Sequence, residues 1–545
     1  MLIDLYREVN LPPIATEVCI IGAGAAGLIL ARRLLAAGVE VAILESGGAD
    51  FEADSAGLNE GSSAGHPYYP LEDSRLRFFG GTTAIWGGRV ARLDAIDFER
   101  RPWIAHSGWP FGAEELADYY QQAEAQFAVA GPLPTAQALA RQGLVFPEFD
   151  SAHLSLGFWK FDDKFDRFTH KNSRDLKDHP RCRILLHATV SDIVPRWNGR
   201  AIDHLVIKNL RGLTAVVRAK QFVLATGGLE NPRLLLASRS VMPKGVGNDH
   251  DQVGRYFMEH PHARGGRVIS NRSWRLLDLF ARRHDYDGAP IAALIRPSDA
   301  LQRRAQILNT SFTIGARQAP VAHQFWGMKL YNDLKHNLNP TNLGRGLWRG
   351  TKRSAVWLQK YVDPLRPWAL TKLGRRELAI IVRAEQAPNP DSRVYLGAER
   401  DALGMPKLVL DWRFSDIDKR SVRVATQALD AELRRLGWGH VEMADWLNDP
   451  SIPWQTDPLI SSHHIGGYHH MGTTRMHADP KHGVVDDACR VHGIANLYIA
   501  GSSVFPVSGW ANPTLTIAAL SLRLGDHLKS ALDSDAVKVR AAALS

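Results

Sequence analysis

The sequence predicts an α/β chain of more than one domain, a doubly wound parallel sheet joined to an α+β part built on an antiparallel sheet. Three observations carry this. Residues 17–21 are a short, mostly apolar run that passes into Gly22-Ala23-Gly24-Ala25-Ala26-Gly27 and then a helical pattern. A second such run, 222–225, ends at Thr226 and the pair Gly227-Gly228. Residues 377–384, 393–396 and 407–412 read as strands, with Pro388-Asn389-Pro390-Asp391 as turn chemistry between the first two. At 545 residues the chain exceeds one ordinary core.

The first unit has the order of a dinucleotide fingerprint. The apolar stripe Leu28, Ala31, Leu34, Leu35 follows the glycines, Gly38 ends the helix, and 39–44 form a second strand closed by Glu45 and Ser46. Gly22 allows the tight turn, Gly24 lets backbone approach a pyrophosphate, and Gly27 lets helix and strand pack closely. The helix N-terminus at Ala25 and Ala26 offers amides to phosphate. Glu45, eighteen residues beyond Gly27, can accept from a ribose hydroxyl. A glycine-rich turn that binds nothing is the plain alternative, and the complete strand, helix, strand and acid argue against it. FAD and NAD both fit this unit.

Farther on, Phe79-Gly80-Gly81-Thr82-Thr83-Ala84-Ile85-Trp86-Gly87-Gly88-Arg89 is either a tight surface turn or a turn laid along a planar ring. Trp86 favours the second reading, which makes Gly81, Thr82, Trp86, Gly87 and Gly88 candidate contacts. Residues 114–129 read as an amphipathic helix, with Tyr119, Ala123 and Phe127 as packing. Residues 183–187, 205–208 and 215–218 read as short strands of a meander. Val190, Ala225, Thr226 and Gly227 join the candidate cofactor contacts, and 233–238 is helical. A domain boundary is expected at 254–261, giving 1–263 as a first part with some substrate-domain segments between about 100 and 180. A second domain would then cover 264–454, and a C-terminal return to the first 455–545.

In the second part, Ser415 and Asp418 have the spacing of a capping box, and Val422, Ala425, Leu429, Leu433 and Leu436 form the stripe of the helix that follows. An antiparallel sheet backed by helices leaves one face to roof a ligand. The formal net charge of +9 is local. Between Lys329 and Arg376 stand eleven Lys and Arg against Asp333 and Asp363, which equals the whole excess. The rest is balanced, against a nucleic-acid binder with a basic body. The basic, Trp-rich insert, 326–376, reads as a solvated amphipathic helix, a membrane-surface contact, a lid over an anionic substrate or a docking face for an electron-accepting partner.

No apolar run approaches a membrane span, and the acidic start MLIDLYREVNLPP lacks a signal-peptide pattern, so a cytoplasmic protein is expected. Cys19, Cys182 and Cys489 form no CxxC, which argues against a disulfide framework, an iron–sulfur site or a c-type haem. His463, His464, His469, His470 and His477 have no standard zinc spacing, and no metal is expected.

With GAGAAG and Glu45, GGTTAIWGG, VLATGG, EQAPNPDSRV, YHHMGTTRM and ANPTLT in order, the chain resembles the glucose-methanol-choline (GMC) oxidoreductases over nearly its full length, most closely the sugar- and polyol-oxidising branch with pyranose oxidase. The resemblance implies a Rossmann-like FAD-binding domain, an α+β substrate domain, and oxidation of an alcohol by hydride transfer to flavin. It places His469 and Asn512 at the family's two active-site positions, Gly501 and Ser502 beside the FAD pyrophosphate, and Thr514 at the ring's carbonyl edge. Members that attach the flavin covalently do so through a histidine where this chain has Ile85, so non-covalent FAD is expected. The implied substrate is a sugar, glycoside or polyol, with oxygen, a quinone or a partner protein accepting the electrons. A lipophilic alcohol, or a flavin-binding protein without redox turnover, are the alternatives. An imidazole can take the hydroxyl proton as hydride leaves, and an Asn amide can hold the oxygen without adding charge.

Overall fold

The computed structural model describes residues 1–9, 11–164, 166–318, 339–456 and 468–544. Its first layer is a largely parallel sheet. Among the described residues its strands run in the order Leu2–Asp4, Cys182–Leu186, Val41–Leu44, Ile14–Ile21, Thr214–Leu224, Ile202–Lys208 and Thr189–Pro195, and Leu497–Ile499 also pairs with Thr214–Leu224. Ile14–Ile21 lies parallel to both neighbours, with Ile20 opposite Ile43 and Val223. Its last four residues, Val18 to Ile21, are all buried, as a strand covered on both faces requires.

Helix Ala25–Ala36 crosses from this strand to the next, and helix Thr514–Leu544 packs beside it. Gly525 makes that approach possible, since a Cβ there would meet the Arg33 side chain at 2.6 Å. Arg33 closes the contact with two bonds to the Asp526 carboxylate, 2.6 and 2.8 Å. The two ends of the chain therefore share one layer.

The second sheet is antiparallel, in the order His440–Met443, His262–Ile269, Glu377–Arg383, Ser311–Arg317, Ala289–Pro297, Leu154–Phe161 and Arg89–Val90. Helix Asp416–Arg435 backs it through Val422, Ala425, Leu429 and Leu433, and the capping box of Ser415 and Asp418 is formed. The opposite face carries Arg89, Trp159, Thr313, Gly315 and Arg383 toward the first sheet and roofs a cavity.

Several expectations are corrected. Residues 183–187 belong to no meander: Cys182–Leu186 is a parallel strand of the first sheet, because Ile184 and Leu185 are buried between its neighbours. The meander is Thr189–Pro195, Ile202–Lys208 and Thr214–Leu224. Runs 215–218 and 222–224 are parts of that one last strand, whose burial alternates at first and whose last four residues, Gln221 to Leu224, are all buried.

Strands Arg393–Arg400 and Pro406–Trp412 leave the large sheet and join Gly61–Gly65 in a separate small one. Before them, 384–388 form a buried connection, and the expected turn follows, with Ser392 N–H donating to the Asn389 carbonyl at 3.1 Å. Glu385 there receives a bond from Arg101, and Gln386 N–H donates to Ser508. The crossing between sheets also begins earlier than 100, at Gly61–Gly65 and Arg89–Val90.

Of the basic insert, 326–338 lies outside the described residues, with Lys329 and Lys335. Helix Asn342–Tyr361 follows, its first turn capped by Thr341. Trp348 and Val356 line the cavity, while Leu343, Leu347, Trp357 and Tyr361 are exposed. Arg345 is tied to Asp50 and stacks over Phe78. No helix among the described residues is long and apolar enough to cross a membrane.

A side-chain bond from the C-terminal motif completes a helix of the first layer. Helix Gly227–Ala237 contains Pro232, which has no N–H for the Gly228 carbonyl one turn earlier. The Thr473 hydroxyl donates to that carbonyl. Thr473→Val is isosteric and leaves the carbonyl buried without a donor, a cost of about 1–3 kcal/mol. Its thermal unfolding midpoint is expected to fall, while that of Thr473→Ser stays near wild type; equal midpoints for the two would contradict the assignment.

Candidate active site

A cavity of about 700 Å³ runs between the two sheets. At one end it is floored by the fingerprint turn, where Gly22, Gly24, Ala25 and Ala26 line it. Gly22 has φ +107, and a Cβ on it would meet the Ala225 carbonyl oxygen at 2.6 Å. Gly24 faces open space, with nothing within 4 Å of the point a methyl would occupy. Gly27 is not on the cavity: its Cβ would collide with the Gly22 carbonyl, so it serves the close packing of helix on turn.

Glu45 and Ser46 line the same end. The Glu45 carboxylate accepts the Ala23 and Gly47 N–H groups, both at 2.9 Å, so it braces the turn as well as facing the cavity. Arg77, which sequence reasoning missed, donates to Ser46 and pairs with Glu230. Val190, Ala225, Thr226 and Gly227 continue the wall. Gly81, Thr82, Ile85, Trp86 and Gly87 form its far side, and Gly87 and Gly227 also leave open space. Gly88 lies off the cavity; with φ +72 and its carbonyl bonded to Asp162 N–H, it turns the chain into strand Arg89–Val90.

Gly501, Ser502, Asn512 and Thr514 complete the lining from the C-terminal segment. Gly501 has φ +115 with nothing within 4 Å of a methyl, a second bare backbone facing the cavity. Helix Thr514–Leu544 starts there and points its N-terminus inward. Two glycine-bared turns and two helix N-termini converging on one elongated cavity fit a dinucleotide with its pyrophosphate.

The His469 loop is clamped in place. Met258 and Met471 exchange backbone bonds of 3.0 Å, and Gly254 N–H donates to the Thr473 carbonyl at 2.8 Å. The buried Glu259 carboxylate accepts the His469 N–H at 2.9 and 3.0 Å, the His260 N–H at 2.9 Å and the Tyr68 hydroxyl at 2.7 Å. Burial pushes the Glu259 carboxyl up against these bonds. His470 turns the other way, 3.1 Å from the Tyr68 hydroxyl, and burial drives its imidazole down to about 3.

The imidazole of His469 meets His260, Nδ1 to Nδ1, at 2.8 Å. The other nitrogen of His260 faces the carbonyls of Gly509, 2.8 Å, and Ser508, 3.3 Å, so it must carry a proton. Burial holds His260 down at about 4, so it is neutral and its Nδ1 is an acceptor. His469 Nδ1 is therefore the donor. Burial, together with the neighbouring imidazoles of His260, His262 and His470 and the Arg383 guanidinium, keeps His469 well below the ordinary imidazole value. Its Nε2 is left with a lone pair, and the Asn512 amide lies 3.2 Å away. Both His469 and Asn512 line the cavity.

The structure thus brings His469, Asn512 and the cofactor candidates except Gly27 and Gly88 to one cavity. His463 and His464 lie outside the described residues, and His477 bonds within its own loop, 2.9 Å from Asp479 N–H. Sequence reasoning missed His260 and Glu259. Their signal was the density of titratable groups in Met258-Glu259-His260-Pro261-His262, a stretch that reads in the sequence only as a boundary.

Comparison with known proteins agrees with this architecture. Residues 17–246 match the model described as FAD dependent oxidoreductase, and 388–521 the model described as GMC oxidoreductase. The chain is 26% identical to 6'''-hydroxyparomomycin C oxidase of Streptomyces lividus, over 95% of this chain and 92% of that protein. It is 24% identical to the fructose dehydrogenase large subunit of Gluconobacter japonicus, over 94% and 98%. The solved structure of pyridoxine 4-oxidase from Mesorbium loti shares the fold, with TM-score 0.54, 18% identity and coverage of 94% and 99%. The chain belongs to the GMC oxidoreductase family, the FAD-dependent enzymes that act on alcohol groups.

Proposed function

We propose that this enzyme oxidises an alcohol group of a sugar, glycoside or polyol and passes the electrons to a separate acceptor. The observation that carries the reading is the unprotonated Nε2 of His469, which accepts from the Asn512 amide N–H at 3.2 Å and lies on a cavity that fits FAD. When bound, FAD supplies the two-electron acceptor for the hydride leaving the alcohol carbon. His469 Nε2 takes the hydroxyl proton, and Asn512 holds the oxygen as its charge changes. His469 Nδ1–H stays bonded to His260, so the ring neither flips nor presents its protonated edge to substrate. The sugar-like substrate class draws support from the activities named for the Streptomyces and Gluconobacter relatives.

The FAD contacts in this proposal are Gly22, Gly24, Ala25, Ala26, Glu45, Ser46, Gly81, Thr82, Trp86, Gly87, Val190, Ala225, Thr226, Gly227, Gly501, Ser502, Asn512 and Thr514. Ile85 lines the cavity with a side chain that cannot bond a flavin, which supports a dissociable cofactor. Denaturing and filtering the yellow protein is expected to release the colour into the filtrate. Colour retained on the polypeptide would refute it.

Anaerobic bleaching of the flavin by sugars, glycosides, polyols, aryl alcohols and sterols tests the activity, with oxygen and a dye acceptor added in turn. His469→Ala is expected to keep FAD and to slow bleaching by about a hundredfold or more; a normal rate would remove His469 from the mechanism.

His260 is a positioning residue, and its role has a pH signature. A base is competent above its pKa, so the low value at His469 makes the wild-type reduction rate flat from about pH 6.5 upward. His260→Ala relieves part of the burial that depresses His469 and frees its tautomer. Its rate is expected to fall tenfold or more, with the rising limb moved to higher pH. A drop without any movement of the limb would make His260 a packing residue only.

A further inference from the structure

The roof of the cavity holds positive charge that the reaction proposed above does not use. Arg89 and Arg383 project from separate strands of the second sheet onto the indole of Trp159, their guanidinium carbons 5.3 and 5.2 Å from its centre. Arg89 also lies 5.8 Å from the Phe161 ring, and Arg283 lies 3.7 Å from the same ring. Arg317 lines the cavity beside them. The carboxylates that line the cavity are Glu45 and Glu230, both at the fingerprint end and both engaged.

Arg283 reaches Asp163 at 3.4 Å, on the exposed side. The described residues offer no carboxylate to Arg89 or Arg383, and the Nε of Arg89 is buried without a hydrogen-bond partner. Burial and the charges of Arg383, Arg283 and Arg317 push Arg89 well below the ordinary guanidinium value, and burial with Arg317 brings Arg383 down to about 10. A guanidinium stays charged in a protein, so these shifts report burial and mutual repulsion awaiting a counter-charge. Stacking on an indole relieves part of it and leaves the planar donor forks open.

FAD phosphate is not that counter-charge. The turns that fit it lie at the opposite end, whereas Arg383 is near enough to His469 and His262 for its charge to act on both imidazoles.

We propose that Arg89 and Arg383 form an oxyanion subsite, and that the alcohol oxidised here carries a carboxylate or phosphate group held on this roof while its hydroxyl meets His469 and Asn512. This rests on the reading of His469 and Asn512 as the reacting end. An ammonium group at the same place would be repelled.

The test uses the FAD-loaded enzyme and matched compounds: glucose, glucosamine, gluconate, glucuronate and glucose 6-phosphate. Binding is read first, as a shift of the visible flavin spectrum in the presence of each compound. At least one carboxylate or phosphate is expected to bind about tenfold or more tighter than glucose, and which one does so decides between the two oxyanions. Arg383→Met and Arg89→Met, each checked for full FAD content, should abolish that preference without weakening glucose, and Arg383→Lys should restore part of it. No preference for any anion, or a preference that survives both Met variants, overturns the subsite. Bleaching rates are read second. Failure of every alcohol to bleach the flavin would count against the oxidation chemistry while leaving the binding result to judge the roof.

Discussion

A single short contact, His469 Nδ1 to His260 Nδ1, decides what the centre can do. Two imidazoles that meet in this way can share only one proton between them while both are neutral. Two backbone carbonyls settle which ring owns it, because Ser508 and Gly509 oblige His260 to commit its own proton to the backbone. Everything upstream serves that arrangement. Glu259 gathers donors from both histidine-bearing segments and from Tyr68, and Gln386 accepts the Glu259 N–H from behind at 2.9 Å. The charge state of the centre is thus written in backbone carbonyls, which do not titrate.

The two sheets divide the work by their chemistry. The parallel layer offers bare backbone, since phosphates are bound by amides and helix ends and tolerate no side chain in between. The antiparallel layer offers side chains at every second position, so a recognition surface can be composed there residue by residue. The cavity is where a face without side chains meets a face made of them. That division explains why glycine dominates one wall and arginine and aromatic rings the other.

How far the sequence revealed this depended on the range of the constraint. GAGAAG and Glu45 were legible because a tight turn and a helix packed on it restrict the residue types locally. His469 and Asn512 were legible through their motifs, each with a glycine or proline that marks its turn. His260 was not, because its partner lies 209 residues away and nothing near it in sequence distinguishes a partner of another ring from a boundary histidine. Arg383 ends an apolar strand, and only the sheet register shows that it faces the cavity with Arg89 and Trp159. Residues 183–187 were legible as a strand, but its place in the parallel sheet was not, for the same reason: its apolar residues do not say which neighbours they pair with.

The pairing of Arg33 with Asp526 spans 493 positions of the chain. The strand Leu497–Ile499 and the turn at Gly501 close the same layer that Gly22 opens. The fingerprint therefore leaves the ribosome well before the wall that completes its cavity. Non-local closure of this kind makes folding slow relative to local structure. A cofactor held between the two walls needs both of them in place, and the Met258–Met471 bonds that clamp the His469 loop belong to the later segment.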